Sequence, residues 1–332
     1  MMVLLTLKSK LKNFYEKHYR VARGSVKACI VFAILFVTTF HLDYSDLLGQ
    51  YIVLAAISII CGVTADFVSL LAIAAIALGE IYRISPLASV AITILLIIYY
   101  LLFGRLTEKQ GIVLVAVPVL SALQLGYLVP VVAALFFSPV IIPALTMGIL
   151  FHFLFSGIQE YALVISRQAQ EASLTASLEY LLEYLRGNAY LIITLVAFLV
   201  TFVCVYLIRR TKIQYASQIA ILVGAILVLS IILLGNITLE LEINLLHSII
   251  SVLVSVVIAY VIQFFHMTLD YQGTRKLQFE DDEYYYYVTA IPKFKVAAAD
   301  KTVTRIVSED TDELELRLEL EKALEGEEEN HF

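Results

Sequence analysis

Eight mostly apolar stretches separated by short polar or proline-marked breaks fill the first 265 residues: 24–40, 51–64, 67–79, 86–103, 111–155, 189–208, 216–234 and 245–265. Runs of about 18 apolar residues predict helices that cross a membrane. The runs 51–64 and 67–79 are shorter, only ~21 Å as helix against ~30 Å of hydrocarbon, and predict tilted, bilayer-thinning or re-entrant segments. The stretch 111–155 is broken by Pro118, Gly126, Pro130, Pro139 and Pro143, and its length fits two long spans or three short ones. Charge decides between them. The run 189–208 ends on Arg209-Arg210-Thr211-Lys212, which positive-inside bias places in the cytoplasm. Residues 158–188 then lie outside, an odd number of crossings precedes them, and 111–155 divides into three. The expected fold is an all-α polytopic membrane protein of about ten apolar segments.

Two blocks repeat one another within this pattern. The block 50–103 opens Ile52-Val53-Leu54-Ala55-Ala56 and restarts after Ser85-Pro86; the block 111–156 opens Ile112-Val113-Leu114-Val115-Ala116 and restarts after Ile142-Pro143. The crossing parity gives them opposite orientations, the mark of a 3+3 inverted repeat in a transporter core. The competing reading is chance likeness among Ile, Val, Leu and Ala. In the outside loop, Leu174, Leu178, Leu181, Leu182 and Leu185 fall at helical spacing, with Arg167 and Glu171 four apart. They predict an amphipathic helix that either packs on the membrane body or covers it as a lid.

Charge divides the chain into a basic cytoplasmic or interfacial segment (1–23), a membrane domain (24–268) and an acidic cytoplasmic tail (269–332). From Asp270 onward seventeen acidic residues outweigh eight basic ones by nine, which against the net −6 leaves the first 269 residues at +3. An acidic tail argues against nucleic acid as a partner. The basic lead-in has Leu4, Leu7, Leu11 and Phe14 near helical spacing and no cleavage site after an apolar run, so it reads as an interfacial helix or solvated lead-in and not as a signal peptide. With both ends cytoplasmic, the chain is expected in the plasma membrane. Cys29, Cys61 and Cys204 sit far apart in apolar runs and imply neither disulfides nor a metal site. In the tail, Tyr284-Tyr285-Tyr286-Tyr287 predicts extended structure. Leu314, Leu316, Leu318 and Leu320 alternate with charged residues, a strand period written in helix formers. A small cytoplasmic module, in part stranded, is expected.

Chemistry is sparse. HExxH, CxxC, GxSxG and Walker-type patterns are not found in the sequence, so no enzyme, cofactor or metal is expected. Ionisable groups at membrane depth are costly and mark function by default, which singles out Asp66, Glu80, Gln124 and His152 as candidates for a transport path. Each has a structural alternative: Asp66 as a helix N-cap, Glu80 as a helix end paired with Arg83, His152 as an interhelical donor. His247 and Gln263 lie near the ends of the last span.

The stretch 279–293, taken with the multi-span body, resembles an uncharacterised membrane-protein family of Gram-positive bacteria sometimes labelled ABC transporter permeases. Gly62-Val63-Thr64-Ala65-Asp66 with Ser85-Pro86-Leu87 is locally similar to the rod-shape-determining MreD family. The permease resemblance implies transport of a small solute with a separate ATPase as motor, since no ATPase motif is carried here. The alternative is a non-enzymatic envelope scaffold whose tail, through Tyr284, Tyr285, Tyr286 and Tyr287, binds a cytoplasmic protein. The bilayer is the expected partner under either reading, with a homo-oligomer compatible with both.

Overall fold

The computed structural model describes residues 18–42, 51–104, 110–168, 176–211, 213, 215–241, 244–266, 275–281, 284–290 and 317. The chain divides into two units, 1–293 and 294–332, and every described residue except Arg317 belongs to the first. The basic lead-in to residue 17, Glu171 of the Arg167/Glu171 pair and the alternating leucines of the tail lie outside what is described.

Eleven α-helices are described: α1 (Tyr19–Leu42), α2 (Tyr51–Val63), α3 (Asp66–Ile84), α4 (Pro86–Tyr99), α5 (Gln110–Ala122), α6 (Leu128–Phe136), α7 (Ile142–Gln168), α8 (Ala176–Gly187), α9 (Ala189–Arg209), α10 (Ala216–Thr238) and α11 (Leu245–His266). Seven stretches are long and apolar enough to cross a membrane, which fits a membrane-spanning protein. The breaks follow the local chemistry. Pro86 opens α4 where a first-turn amide needs no partner, and the Ser85 side chain accepts a hydrogen bond from the Ala88 amide at 3.2 Å. Asn188 caps α9 in the same way through the Leu191 amide.

Three elements differ from the expected lengths. The run expected at 67–79 is a helix of 19 residues, about 28 Å long and sufficient to cross unaided. It extends because Gly79 is a single helix-tolerated glycine and the following residues reach their stop only at Ser85-Pro86. The third segment of the second block is 27 residues long, running past Ser156 to Gln168 and taking up part of the expected outer loop. Gly157 lies in its interior, and the Tyr184 ring fills the space beside it. The middle segment, α6, has only 9 residues.

That shortest helix is the most enclosed. Leu128, Val129, Pro130, Val131, Ala133, Ala134 and Leu135 are all buried, packed among α5, α9, α10 and α11. A helix apolar on every side has no solvent face to present, and its place is the interior. Around it lies the largest apolar cluster, including Val117, Ile149, Phe198, Phe202, Ile221 and Val228. A second cluster joins Ile81, Ala88 and Ile92 to Phe151, Ile158 and Leu181, and a third joins α1, α2 and α3 through Leu35, Leu54 and Ile73. Small residues set the close approaches. Pro118 lacks the amide that would bond the Leu114 carbonyl, and α7 comes onto that carbonyl at Gly148. Gly24 of α1 meets Gly62 of α2 backbone to backbone.

Contacts between helix ends define two ends of the body. At one, Lys27 Nζ donates to the Thr64 carbonyl at 2.7 Å, and the Phe67 and Tyr100 rings meet at 5.6 Å. There too Gly111 abuts Leu70, and the Phe136 ring packs edge-on against His266 at 4.7 Å. At the other end Ser85 bonds Ser177 at 2.6 Å, Tyr127 meets Tyr190 at 3.3 Å, and Gln124 meets His247 at 3.1 Å. Arg23, Lys27, Arg209 and Arg210 therefore share the first end. Beyond α11, β1 (Arg275–Glu280) and β2 (Tyr285–Ala290) form an antiparallel hairpin with Phe279 opposite Tyr286. Three of the four tyrosines lie in the strand, and Tyr284 lies in the turn.

Candidate functional site

Glu80 lies in the interior of α3 and is fully buried. It comes one residue before Ile81 of the second apolar cluster and one turn before the Ser85-Pro86 break that ends the helix. Three buried serines surround that break. Ser89 of α4 donates to the Leu78 carbonyl at 2.9 Å, tying the first turn of α4 back to the helix that carries Glu80. Ser85 and Ser177 share their hydroxyl hydrogen bond, and both are buried. Ser85, Ser89 and Ser177 thus gather at this break beneath one covering element, about one turn along α3 from Glu80.

The covering element is α8. It buries Ser177 and Leu181 and exposes Leu182, Glu179, Glu183 and Arg186, so one narrow face docks while the rest stays at the surface. Leu181 enters the apolar cluster of Ile81, Ala88 and Ile92. Tyr180 stacks between Tyr161 at 5.4 Å and Tyr184 at 6.5 Å. Burial first, and then the neighbouring Glu160 carboxylate, raise the Tyr180 phenol above its ordinary range, so it stays neutral and keeps its proton as a donor. The amphipathic helix expected from the leucine spacing is thus present over 176–187, with one face packed on the body; Leu174 lies outside the described residues.

The other sequence candidates are placed apart. Asp66 opens α3, about 21 Å along the helix from Glu80, and Ala65 holds the cap position. Its carboxylate pairs with Lys27 at 2.8 Å and Arg23 at 3.7 Å and is 68% exposed, which makes it a surface tie between α1 and the α2–α3 turn. Gln124 lies in the turn between α5 and α6 at φ 61°. Its side chain meets the His247 ring, and its carbonyl accepts from the buried Ser251 hydroxyl. Gln124 is therefore joined to α11, a pairing that no local signal in the sequence announces. His152 stands half-buried on α7 between Phe151 of the second cluster and Phe153 of the first, its ring 5.3 Å from that of Phe153. Tyr284, Tyr285, Tyr286 and Tyr287 are all exposed on the hairpin.

Two features escape sequence reasoning. Arg209 reads as part of a topology-setting basic cluster, yet its guanidinium donates to the carbonyls of Ala134, at 3.0 Å, and Leu135. It closes the C-terminal end of α6, where free carbonyls carry partial negative charge. Ser177 lies 92 residues from Ser85 and is one of several small polar residues in its loop. Ser85 itself had a signal, since serine before proline marks a helix start. Among the described residues no three His, Cys, Asp or Glu side chains are grouped to hold a metal ion. A scan of protein-family models matches nothing in this chain, and searches of curated proteins and of solved structures return no match.

Proposed function

We propose that the chain is the membrane core of a transporter or permease for a small solute, with Glu80 on the path and α8 as its cover. The observation that carries this reading is the fully buried Glu80 carboxyl inside a helix apolar enough to cross a membrane. Placing a carboxyl there costs several kcal/mol by order of magnitude, and chains retain such a group where a solute or proton must be handled. The buried hydroxyls of Ser85, Ser89 and Ser177 supply polar partners at the same helix break.

The end carrying Arg23, Lys27, Arg209 and Arg210 is cytoplasmic under positive-inside bias, which puts α8 on the outer face of the plasma membrane and both termini inside. With α2, α5 and α6 counted as short crossings, the total is ten, and the blocks 50–103 and 111–156 run in opposite senses as an inverted repeat requires. Their prolines support the comparison: Pro86 opens the third helix of the first block, and Pro143 is the second residue of the third helix of the other. The resemblance to a permease-labelled family points the same way, with energy supplied by a separate ATPase.

The test uses purified full-length protein in proteoliposomes and a radiolabelled panel of amino acids, sugars, nucleosides and inorganic ions. One solute class is expected to cross with the native chain and to fail with Glu80→Gln, while the variant elutes and melts as the native protein does. Equal flux in the variant would remove Glu80 from the path. A native protein that moves no member of the panel counts against the transport reading itself.

A further inference from the structure

The β1–β2 register sorts the hairpin into two unlike faces. Residues directly opposite in an antiparallel pair share a face, and alternate residues along a strand do too. Leu277 opposite Val288 and Phe279 opposite Tyr286 therefore make one face, and Tyr284 joins them, its ring 6.3 Å from that of Tyr286. Gln278 opposite Tyr287 and Glu280 opposite Tyr285 make the other. Leu277, Phe279, Tyr284, Tyr286 and Val288 are each at least 40% exposed. A lone two-stranded hairpin is marginal in water, so an apolar face of this kind needs a cover.

The tether restricts what that cover is. Eight residues separate His266, at the end of α11, from Arg275 at the start of β1, so even fully extended chain holds the hairpin within about 30 Å of the end of a membrane-crossing helix. Tyrosine settles at headgroup level, with an apolar body and a wet tip, and phenylalanine and leucine bury on the apolar face of an element lying at the headgroup boundary. A second copy fits poorly. Copies in one membrane share an orientation, so pairing two hairpins would bring together two copies of the acidic sequence Glu280-Asp281-Asp282-Glu283 that links the strands, like charge against like. The same acidic sequence disfavours a strongly anionic surface.

We propose that the hairpin docks on the bilayer itself, laying its Leu277, Phe279, Tyr284, Tyr286 and Val288 face on the headgroup boundary of zwitterionic lipid. The surface anchors the chain just after α11 and leaves the Tyr285 and Tyr287 face to water.

The chain has no tryptophan, so a single Tyr→Trp substitution supplies a clean reporter. Full-length Tyr286→Trp and Tyr287→Trp proteins are reconstituted in phosphatidylcholine vesicles, with and without phosphatidylcholine brominated high on the acyl chain. Iodide is added on both sides. The reporter at 286 is expected to emit to the blue, lose roughly half its intensity to brominated lipid and resist iodide. The reporter at 287 should show the reverse. Tyr284→Trp, on the docking face, must behave as Tyr286→Trp does, which guards against a local misfold at one position. Iodide quenching at 286 and 284 without lipid quenching overturns the proposal by leaving the face in water. Shielding from both quenchers overturns it in favour of a protein cover, whether a second copy or a cytoplasmic partner.

Discussion

The blocks α2–α4 and α5–α7 begin from similar apolar strings and reach different packings. In the first, the middle and last helices lie against each other, and three buried serines are tied to backbone: Ser58 to Leu54, Ser69 to Cys61 and Ser89 to Leu78. In the second, the first and last helices pair, and the middle one is passed to α9, α10 and α11, enclosed by aliphatic side chains. Lipid is as apolar as leucine, so hydrophobicity does not select helix partners; small residues and hydrogen-bonding groups do. The blocks diverge where those groups diverge. The middle helix of the first carries Ser69 and Glu80, and that of the second carries no polar side chain at all.

The sharpest way to break this contrast is to give α6 the charge it lacks. Val131→Asp, at a buried position, is expected to cost about 3 kcal/mol or more and to leave no monodisperse protein in size-exclusion chromatography. A smaller loss tests the close approaches. A Cβ at Gly62 would lie 2.8 Å from the Gly24 carbonyl oxygen, and one at Gly148 would lie 2.8 Å from Val117 Cβ and 3.2 Å from the Leu114 carbonyl. Gly62→Val and Gly148→Val should each destabilise by about 1–3 kcal/mol, seen as a lower melting temperature in detergent. Equal melting to the native protein at either site would show that the approach is not required.

Ser177→Ala removes the hydroxyl pair with Ser85 and is expected to cost about 0.6–1 kcal/mol, the usual worth of such a bond in a membrane protein. It should also raise protease sensitivity across α8 without unfolding the body. The smallest effect belongs to Asp66→Asn, which loses a largely exposed ion pair to Lys27 and should cost no more than about 0.5 kcal/mol. That difference should vanish in high salt; a larger, salt-independent loss would place Asp66 in a role beyond tying α1 to the α2–α3 turn.

Much of the helical outline was legible because apolar run length and proline position are local signals. Pro86 and Pro139 mark true breaks, whereas Pro118, Pro130 and Pro143 lie within helices; the basic cluster at 209–210 sits at the same end as Arg23 and Lys27, and three of the four consecutive tyrosines lie in a strand. What was not legible depends on partners distant in sequence. Nothing around Leu128 to Phe136 says that a helix of 9 residues forms the centre of the body, since a short apolar run reads the same whether lipid or protein surrounds it. Glu80 was read as the end of a run because the charge lies three residues before Arg83; the fold instead sets it in the interior of α3, buried, beside an Ile81 that packs with Phe151 of α7 and Leu181 of α8. Gln124 and His247 were noticed separately, and only the fold joins them.

The Arg209 clamp has a consequence for how the chain is made. Its hydrogen bonds to Ala134 and Leu135 span 75 and 74 residues, so α6 leaves the ribosome long before its closing cation exists. At about 14 Å the helix is less than half the ~30 Å hydrocarbon thickness, and the carbonyls of Ala134 and Leu135 gain the Arg209 guanidinium only once α9 arrives. The closing contact of the body's central helix therefore forms late in the making of the chain, after α7 and α8 have been synthesised.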